Sequence, residues 1–445
     1  MQEDSRPHTS CVHPCDPTRK LWFFADVPHL LKNLRNHLTK GQLIYLPGDV
    51  VKKNGLPTNV VNLEYIKILV QRDAKSELKL APHLNPACVD PTHYDKMKVS
   101  LAYSLFHNDT SAGLHVLVEK GLLSKNALST AWFVATVFRW FRLLTSRTSK
   151  LAFSNADGGA YEDGVSFLNE TVKLFSKISI GAQTKAVWKP VQTGIILSTL
   201  SALEVQDTLL KKCDFEYVLL SRFSQDGLEN LFSTLRAKNP IPRLYEFKCS
   251  LRSATLAQFL RPSRYGSYSD DEGFLLIGLN AEKEQTEEGS IIAPSDLLDL
   301  SSEGEESLVY LAGYVISKIT KKLHCEDCSA SLTSNDASCR LIQLKNYSSS
   351  HLSLTSPSAG VVEVIKVAEN FFRANSEALL SNRVSTFDAE RPILQSIVPE
   401  IVRMFLRVRM QIFVRTEASV RALTVTSSKC GSKSVGMHAA VSGIR

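Results

Sequence analysis

The sequence predicts an α/β chain in which helices dominate and strands are few. Three observations carry this. A short apolar run, Lys20–Asp26, feeds directly into a segment of helical spacing. Two long blocks of 3.6-residue apolar periodicity follow. Between them lies an acid-rich stretch with Ser, Gly and Pro interspersed. At 445 residues with 44% apolar content the chain is long enough for two or three packed cores.

Along the chain, KLWFFAD reads as a short buried strand with Asp26 at its tip, and Leu30, Leu31, Leu34 and Leu38 form the apolar face of the helix that follows. Pro, Gly and Asn punctuate residues 41 to 95 around one periodic segment, VVNLEYIKILVQRD. Residues 96 to 180 are predominantly helical, in DKMKVSLAYSLFHNDTSAGLHVLVEKG, NALSTAWFVATVFRWFRLLTSR and YEDGVSFLNETVKLFSKIS. Another helix follows in QTGIILSTLSALEVQDTLLKK. In SRFSQDGLENLFSTLRAKNPIP, Ser224 is the expected N-cap and Asp226 lies in the first turn. Leu228, Leu231, Phe232 and Leu235 form one face there, and Asp226 and Glu229 share another.

The acidic stretch 268 to 307 holds twelve Asp and Glu and one Lys, and reads as a linker or surface loop. Beyond it comes a smaller helical region whose last segment sets Arg403, Arg407 and Arg415 on a basic stripe. The predicted division is 1–40, 41–195, 196–267, 268–307 and 308–445.

Net charge is +7, yet outside 268–307 there are 51 basic residues against 33 acidic, a surplus that suits a polyanion partner or simply a solvated surface. The N-terminal MQEDSRPHTS lacks the pattern of a secretory signal, and TAWFVATVFRWFRLL is too short and too charged to span a bilayer, so no membrane role is expected. Nine scattered cysteines, an odd number, point to free thiols in a reducing compartment rather than a disulfide framework.

No phosphate-binding glycine loop of either common spacing occurs. One carboxylate at a strand end with others on a distant helix is the raw material of a two-metal phosphodiester site. The same acids are equally ordinary at a strand end and in a helix's first turn. Cys325 and Cys328, in HCEDC, have zinc-ligand spacing with Cys339 and His351 as conceivable partners; free or buried thiols are the alternative.

FFADVPHLLKNLRNHL, HYDKMKVSLAYSLF, WKPVQTGIILS, SRFSQDGLENLFSTLRAKNPIP and YLAGYVISKI occur in the order found in P-element-type DNA transposases, the group that includes the THAP-domain transposase relatives. The resemblance covers most of residues 15 to 325. It implies an RNase H-like domain (1–40 and 196–267), only partial here, interrupted by a mostly helical, GTP-binding-like insertion (41–195) and followed by a helical C-terminal region. It implies Asp26 and Glu229 as catalytic, magnesium-binding acids and Asp226 as an accessory acid. A DNA partner, homo-oligomeric assembly and a nuclear location are implied as well.

Three departures shape the expectation. The family's first acid lies on an upstream strand for which Asp4 and Asp16 are poor substitutes, so an N-terminally truncated, catalytically impaired chain is expected. In the family's Phe-Asp-x-x-Asn-Ser-Arg pattern the Asp and Asn recognise guanine. Arg142 and Thr145 stand at those positions here, within Phe141–Arg147. An acceptor has become a donor, and loss of GTP binding is expected. The family's zinc-dependent DNA-binding domain and coiled coil have no counterpart. A host protein derived from such an element, binding DNA or protein without catalysis, is the second expectation.

Overall fold

A computed structural model describes residues 7–76, 78–149, 152–154, 158–181, 188–236, 239, 241–260, 300–321, 326–334, 339–346 and 354–374. The chain divides into two compact units. One comprises residues 1–70, 83–111 and 124–279, the other residues 71–82, 112–123 and 280–445.

The first unit opens with an antiparallel hairpin, β1 (Ser10–His13) and β2 (Asp16–Trp22), and continues into α1 (Val27–Thr39). The expected strand is thereby corrected: it ends at Trp22, it is largely exposed, and Phe23–Asp26 lies outside it. Leu21 and Phe23 stay exposed while Phe24 stacks on Phe223, and beyond the Phe23 N–H, which reaches the Thr9 carbonyl, a later helix supplies hydrogen bonds to the run. Ser198 Oγ accepts the Ala25 N–H at 2.9 Å and donates to the Ala25 carbonyl at 2.8 Å, while Ser201 Oγ donates to the Phe23 carbonyl at 2.6 Å.

Strand β3 (Ile44–Tyr45) is followed by α2 (Gly48–Lys53), β4 (Val60–Val61), α3 (Leu63–Asp73) and the single turn α4 (Pro86–Val89). The sequence predicts one helical run over 95–121. The structure breaks it into a 3-10 turn (Asp95–Met97), α5 (Val99–Phe106) and α6 (Asn108–Glu119), because His107 adopts extended backbone between the two helices. Next come α7 (Ala127–Leu144), β5 (Phe153–Ser154), α8 (Gly158–Lys177), β6 (Ser179–Ile180), α9 (Pro190–Lys212) and β7 (Tyr217–Val218). After β7 stand α10 (Asp226–Arg236) and α11 (Leu244–Leu260). Besides the hairpin, the sheets among the described residues are two small antiparallel ones, β4-β3-β6 and β5-β7.

Helices α1, α5, α7, α8 and α9 pack on one another. Leu31, Leu34 and Leu38, three of the residues expected on the inner face of α1, are almost completely buried, and Leu30 nearly so. Trp140 of α7 is fully buried and donates from Nε1 to Thr199 Oγ1 at 2.9 Å, so this large ring's polar edge is satisfied inside the core. Gln192 donates to the carbonyls of Phe175 and Ile178, taking up acceptors left open where α8 ends. Arg35 of α1 is also buried, its guanidinium held by the carbonyls of Asp95 and Lys96, and desolvation lowers its pKa from the usual value.

The second unit contains α12 (Ser302–Thr320), α13 (Glu326–Leu332), α14 (Arg340–Lys345) and α15 (Ala359–Ala374). Residues 302–307, expected in the acidic linker, instead form the start of α12. The Ser301 hydroxyl caps the Gly304 N–H at 3.2 Å, and Glu303 and Glu305 sit in the first turn, where the helix dipole favours them. The rest of that linker, and the basic stripe at 403, 407 and 415, lie outside the described residues. Ala312, Ile316, Leu332 and Val361 form a small core. Glu306 accepts the Leu341 N–H at 3.0 Å and the Cys339 thiol at 3.3 Å.

Gly313 faces this core so closely that an added Cβ would run into the Thr355 carbonyl oxygen, whereas a Cβ on Gly227 would meet nothing within 4 Å. Gly313→Ala is expected to destabilise by about 1–3 kcal/mol, the usual range for forced overpacking, and Gly227→Ala to have little effect. Denaturant unfolding of both variants checks the contrast.

Candidate active site

Asp26 is the N-cap of α1. Its backbone is extended, with φ −62° and ψ 114°, and Oδ2 accepts the His29 N–H at 3.1 Å. Asp followed by Val-Pro is a local instruction to start a helix, since Pro28 fixes φ and needs no donor partner in the first turn. The same Oδ2 lies 2.5 Å from His29 Nδ1, and Oδ1 accepts the Gln225 N–H at 3.0 Å. That last bond joins residues 199 apart in sequence and fixes the entry to α10 against the head of α1. Stacking of Phe24 on Phe223, with centroids 5.0 Å apart and planes 13° from parallel, holds the same junction from the apolar side.

The expected acids are therefore neighbours in space, with an imidazole between them. His29 Nε2 lies 3.9 Å from Glu229 Oε1 while its Nδ1 faces Asp26. Their environments differ: the Asp26 side chain is 6% exposed and that of Glu229 59%. Asp226, on the first turn of α10, faces Arg147, whose Nη2 lies 2.8 Å from its Oδ2. The sequence reading missed His29, although its position three residues after an N-cap Asp puts the ring back toward that carboxylate.

Magnesium requires near-octahedral oxygen coordination, and imidazole is an unusual ligand for it. Here Asp26 already accepts three hydrogen bonds or contacts, and an imidazole occupies the space toward Glu229. As placed, these residues do not fit a magnesium pair.

The Phe141–Arg147 stretch closes α7 and reaches the same region. Thr145 is the C-cap and donates from Oγ1 to the Phe141 carbonyl at 2.7 Å. Ser146 is buried, its hydroxyl accepting the Leu220 N–H at 3.1 Å and its carbonyl the Ser221 N–H at 3.3 Å. The Arg142 guanidinium lies over the Phe138 ring at 5.6 Å, and burial lowers its pKa from the ordinary value. Arg142 and Thr145 are thus engaged with α7's own turns: a cation over an aromatic face and a hydroxyl closing the helix end.

Of the zinc candidates, Cys325 and the Cys328 side chain lie outside the described residues, as does His351. Cys339 is buried, and desolvation, followed by the nearby Glu306, pushes its thiol up to about 12. A metal ligand must be a thiolate, so this environment keeps Cys339 a hydrogen-bond donor.

Comparison with known proteins brings these features together. Residues 28–154 match the family described as TNP-like, GTP-binding insertion domain, and residues 295–420 match DNA transposase THAP9, C-terminal domain. The Transposable element P transposase of Drosophila melanogaster is 26% identical over 337 residues, 71% of this chain and 43% of that protein. The chain is related to the P-element-type transposases. DNA transposase THAP9 of Homo sapiens is 23% identical over 444 residues, 90% of this chain and 47% of that relative. The chain thus spans less than half the length of both relatives. A solved structure, the Drosophila P element transposase strand transfer complex, aligns with a TM-score of 0.47 at 24% identity, covering 56% of this chain and 55% of that one. No described helix is long and apolar enough to cross a membrane.

Asp26 has a measurable structural duty apart from any chemistry. Asp26→Ala is expected to destabilise the chain by about 1–2 kcal/mol through loss of the cap and an unpaired Gln225 N–H, and Asp26→Asn much less. Asp226→Ala breaks an exposed ion pair and is expected to cost under about 1 kcal/mol. Thermal and urea unfolding of the three variants checks the order.

Proposed function

We propose that the chain is a P-element-type transposase unit that engages DNA, with its cleavage and strand-transfer chemistry impaired. In this reading residues 1–40 and 196–267 belong to an RNase H-like fold, and the helical module of 41–195 is its insertion. Asp26 and Glu229 are the retained acids, and Asp226 is an accessory acid paired with Arg147 of the insertion. The observation that carries the reading is the juxtaposition of Asp26 and Glu229 on either side of His29, by a chain path of two hundred residues, in a protein related to transposases. The basic surplus outside 268–307 supports DNA as partner.

Impairment is supported by the same geometry. Phosphodiester cleavage by paired ions needs carboxylates free to hold them, and Asp26 is committed to two amides and an imidazole. What the chain's own residues do is positional: Asp26 anchors the heads of α1 and α10 together, and His29 spans the gap between the acids. Arg142 presents a donor where the family's pattern has an acceptor for guanine, which supports loss of guanine recognition. The basic surface also suits a second reading, a host-derived nuclear protein that binds DNA or protein without cutting.

Two measurements test this. Purified chain is expected to bind generic duplex DNA with affinity falling steeply as salt rises, and to give no Mg²⁺- or Mn²⁺-dependent nicking, with or without Glu229→Gln. Nicking that disappears in Glu229→Gln would establish a working acid site and overturn the impairment, and absence of DNA binding would remove the proposed partner. In a thermal-shift titration, GTP and ATP are expected to leave Tm unchanged. Stabilisation by GTP that ATP does not share would show that guanine recognition survives Arg142.

A further inference from the structure

Away from the acids, three potential metal ligands converge where α5 hands over to α6. His107 is the extended residue between the two helices, Asp109 lies in the first turn of α6, and His83 comes from the segment ahead of α4. Asp109 Oδ2 lies 3.5 Å from His107 Nδ1 and 3.9 Å from His83 Nε2, and one donor atom from each residue falls within 4.8 Å of the others. The Asp109 and His107 side chains are 10% and 17% exposed, while that of His83 is 39% exposed. No other group of three such ligands is present among the described residues.

We propose that His83, His107 and Asp109 form a binding site for a zinc-like divalent ion. The spacing argues for it. Ligand atoms about 2.0–2.2 Å from a tetrahedral ion stand roughly 3.3–3.6 Å from one another. The two observed separations exceed a good hydrogen bond and sit at or slightly beyond this ligand spacing, so a small movement of the half-exposed His83 ring closes the set. The donor chemistry argues for it too. Two imidazoles and one carboxylate are a nitrogen-rich set that suits zinc and disfavours magnesium or calcium, and three protein ligands leave one position for water.

The surroundings hold the ligands in place. The Asp109 N–H lies 3.2 Å from His107 Nδ1, a long contact that orients the ring toward Asp109 and that a bound ion would replace. The same ring stands edge-on to Phe138, with centroids 4.9 Å apart, and to Tyr103 at 5.4 Å. Tyr103 also touches Phe141, the first residue of the stretch that replaces the guanine pattern. A bound ion would therefore pin the α5–α6 junction to the segment before α4 and stiffen the aromatic packing beneath Arg142. The site owes nothing to Asp26 or Glu229 and stands whether or not the transposase reading does.

The test uses the full chain carrying Cys325→Ser and Cys328→Ser, so that the thiol pair contributes no zinc. After equilibration with zinc sulfate and exhaustive dialysis, elemental analysis is expected to find one equivalent per chain, lost in His83→Ala and in Asp109→Asn. His83 is partly exposed, so its replacement spares the fold, and circular dichroism verifies this. Cobalt loaded in place of zinc is expected to show the visible bands of a four-coordinate site without thiolate charge transfer, again lost in His83→Ala. An absence of retained zinc, or zinc and cobalt binding unchanged in His83→Ala, would overturn the proposal.

Discussion

The first unit depends on the small polar face of α9. A helix that presents Gly194, Ser198 and Ser201 in succession lets another backbone approach closely and offers that backbone hydroxyl partners. Phe23–Ala25 uses both. An added Cβ at Gly194 would strike Leu30 and press on Ala25, so the seat of α1 and the course of the segment before it are set by one missing side chain. Because the Phe23 carbonyl and both backbone groups of Ala25 bond to α9, the segment can leave the hairpin and turn straight into α1 with Asp26 as cap. Thr199, on the same helix, satisfies Trp140, so α9 anchors α7 as well.

Much of this was legible in the sequence, and the misses have a common cause. The apolar faces of α1, α7, α8 and α9 follow a 3.6-residue period that records burial directly, and the helices lie where the spacing put them. Ser224, the expected N-cap, falls one residue short of that position, because α10 begins at Asp226 and Gln225 precedes it; its hydroxyl still accepts the Asp226 N–H at 3.3 Å. What was not legible is where an apolar run finds its backbone partners. KLWFFAD reads as one buried strand because strands are the usual place for such runs, but only Lys20–Trp22 pairs in the hairpin, and the Phe23 carbonyl and the Ala25 amide and carbonyl find serines more than 170 residues away. Burial of Arg35 was invisible for a similar reason: the carbonyls of Asp95 and Lys96 that accept from it belong to a turn 60 residues downstream.

The candidate site shows the same division. Spacing placed Asp226 and Glu229 on one helix, and resemblance paired Glu229 with Asp26, yet neither indicated that an imidazole would stand between them. The histidine–aspartate cluster at 83, 107 and 109 has no compact spacing to find, because one ligand lies 24 residues upstream of the next and the fold alone unites them. The Arg142 substitution was visible as a change of chemistry. Its accommodation over Phe138 was not, and that packing explains how a cation is tolerated in a half-buried position.

Asp26 caps one helix and ties down the start of another, so it has a reason to persist that is independent of any chemistry. Whatever chemistry the chain performs, removing this carboxylate costs folding free energy, and selection for a folded chain is enough to keep it. Glu229, with its side chain 59% exposed and no comparable bond to backbone, carries no such structural constraint. Asp26 therefore has an architectural reason to persist that Glu229 lacks.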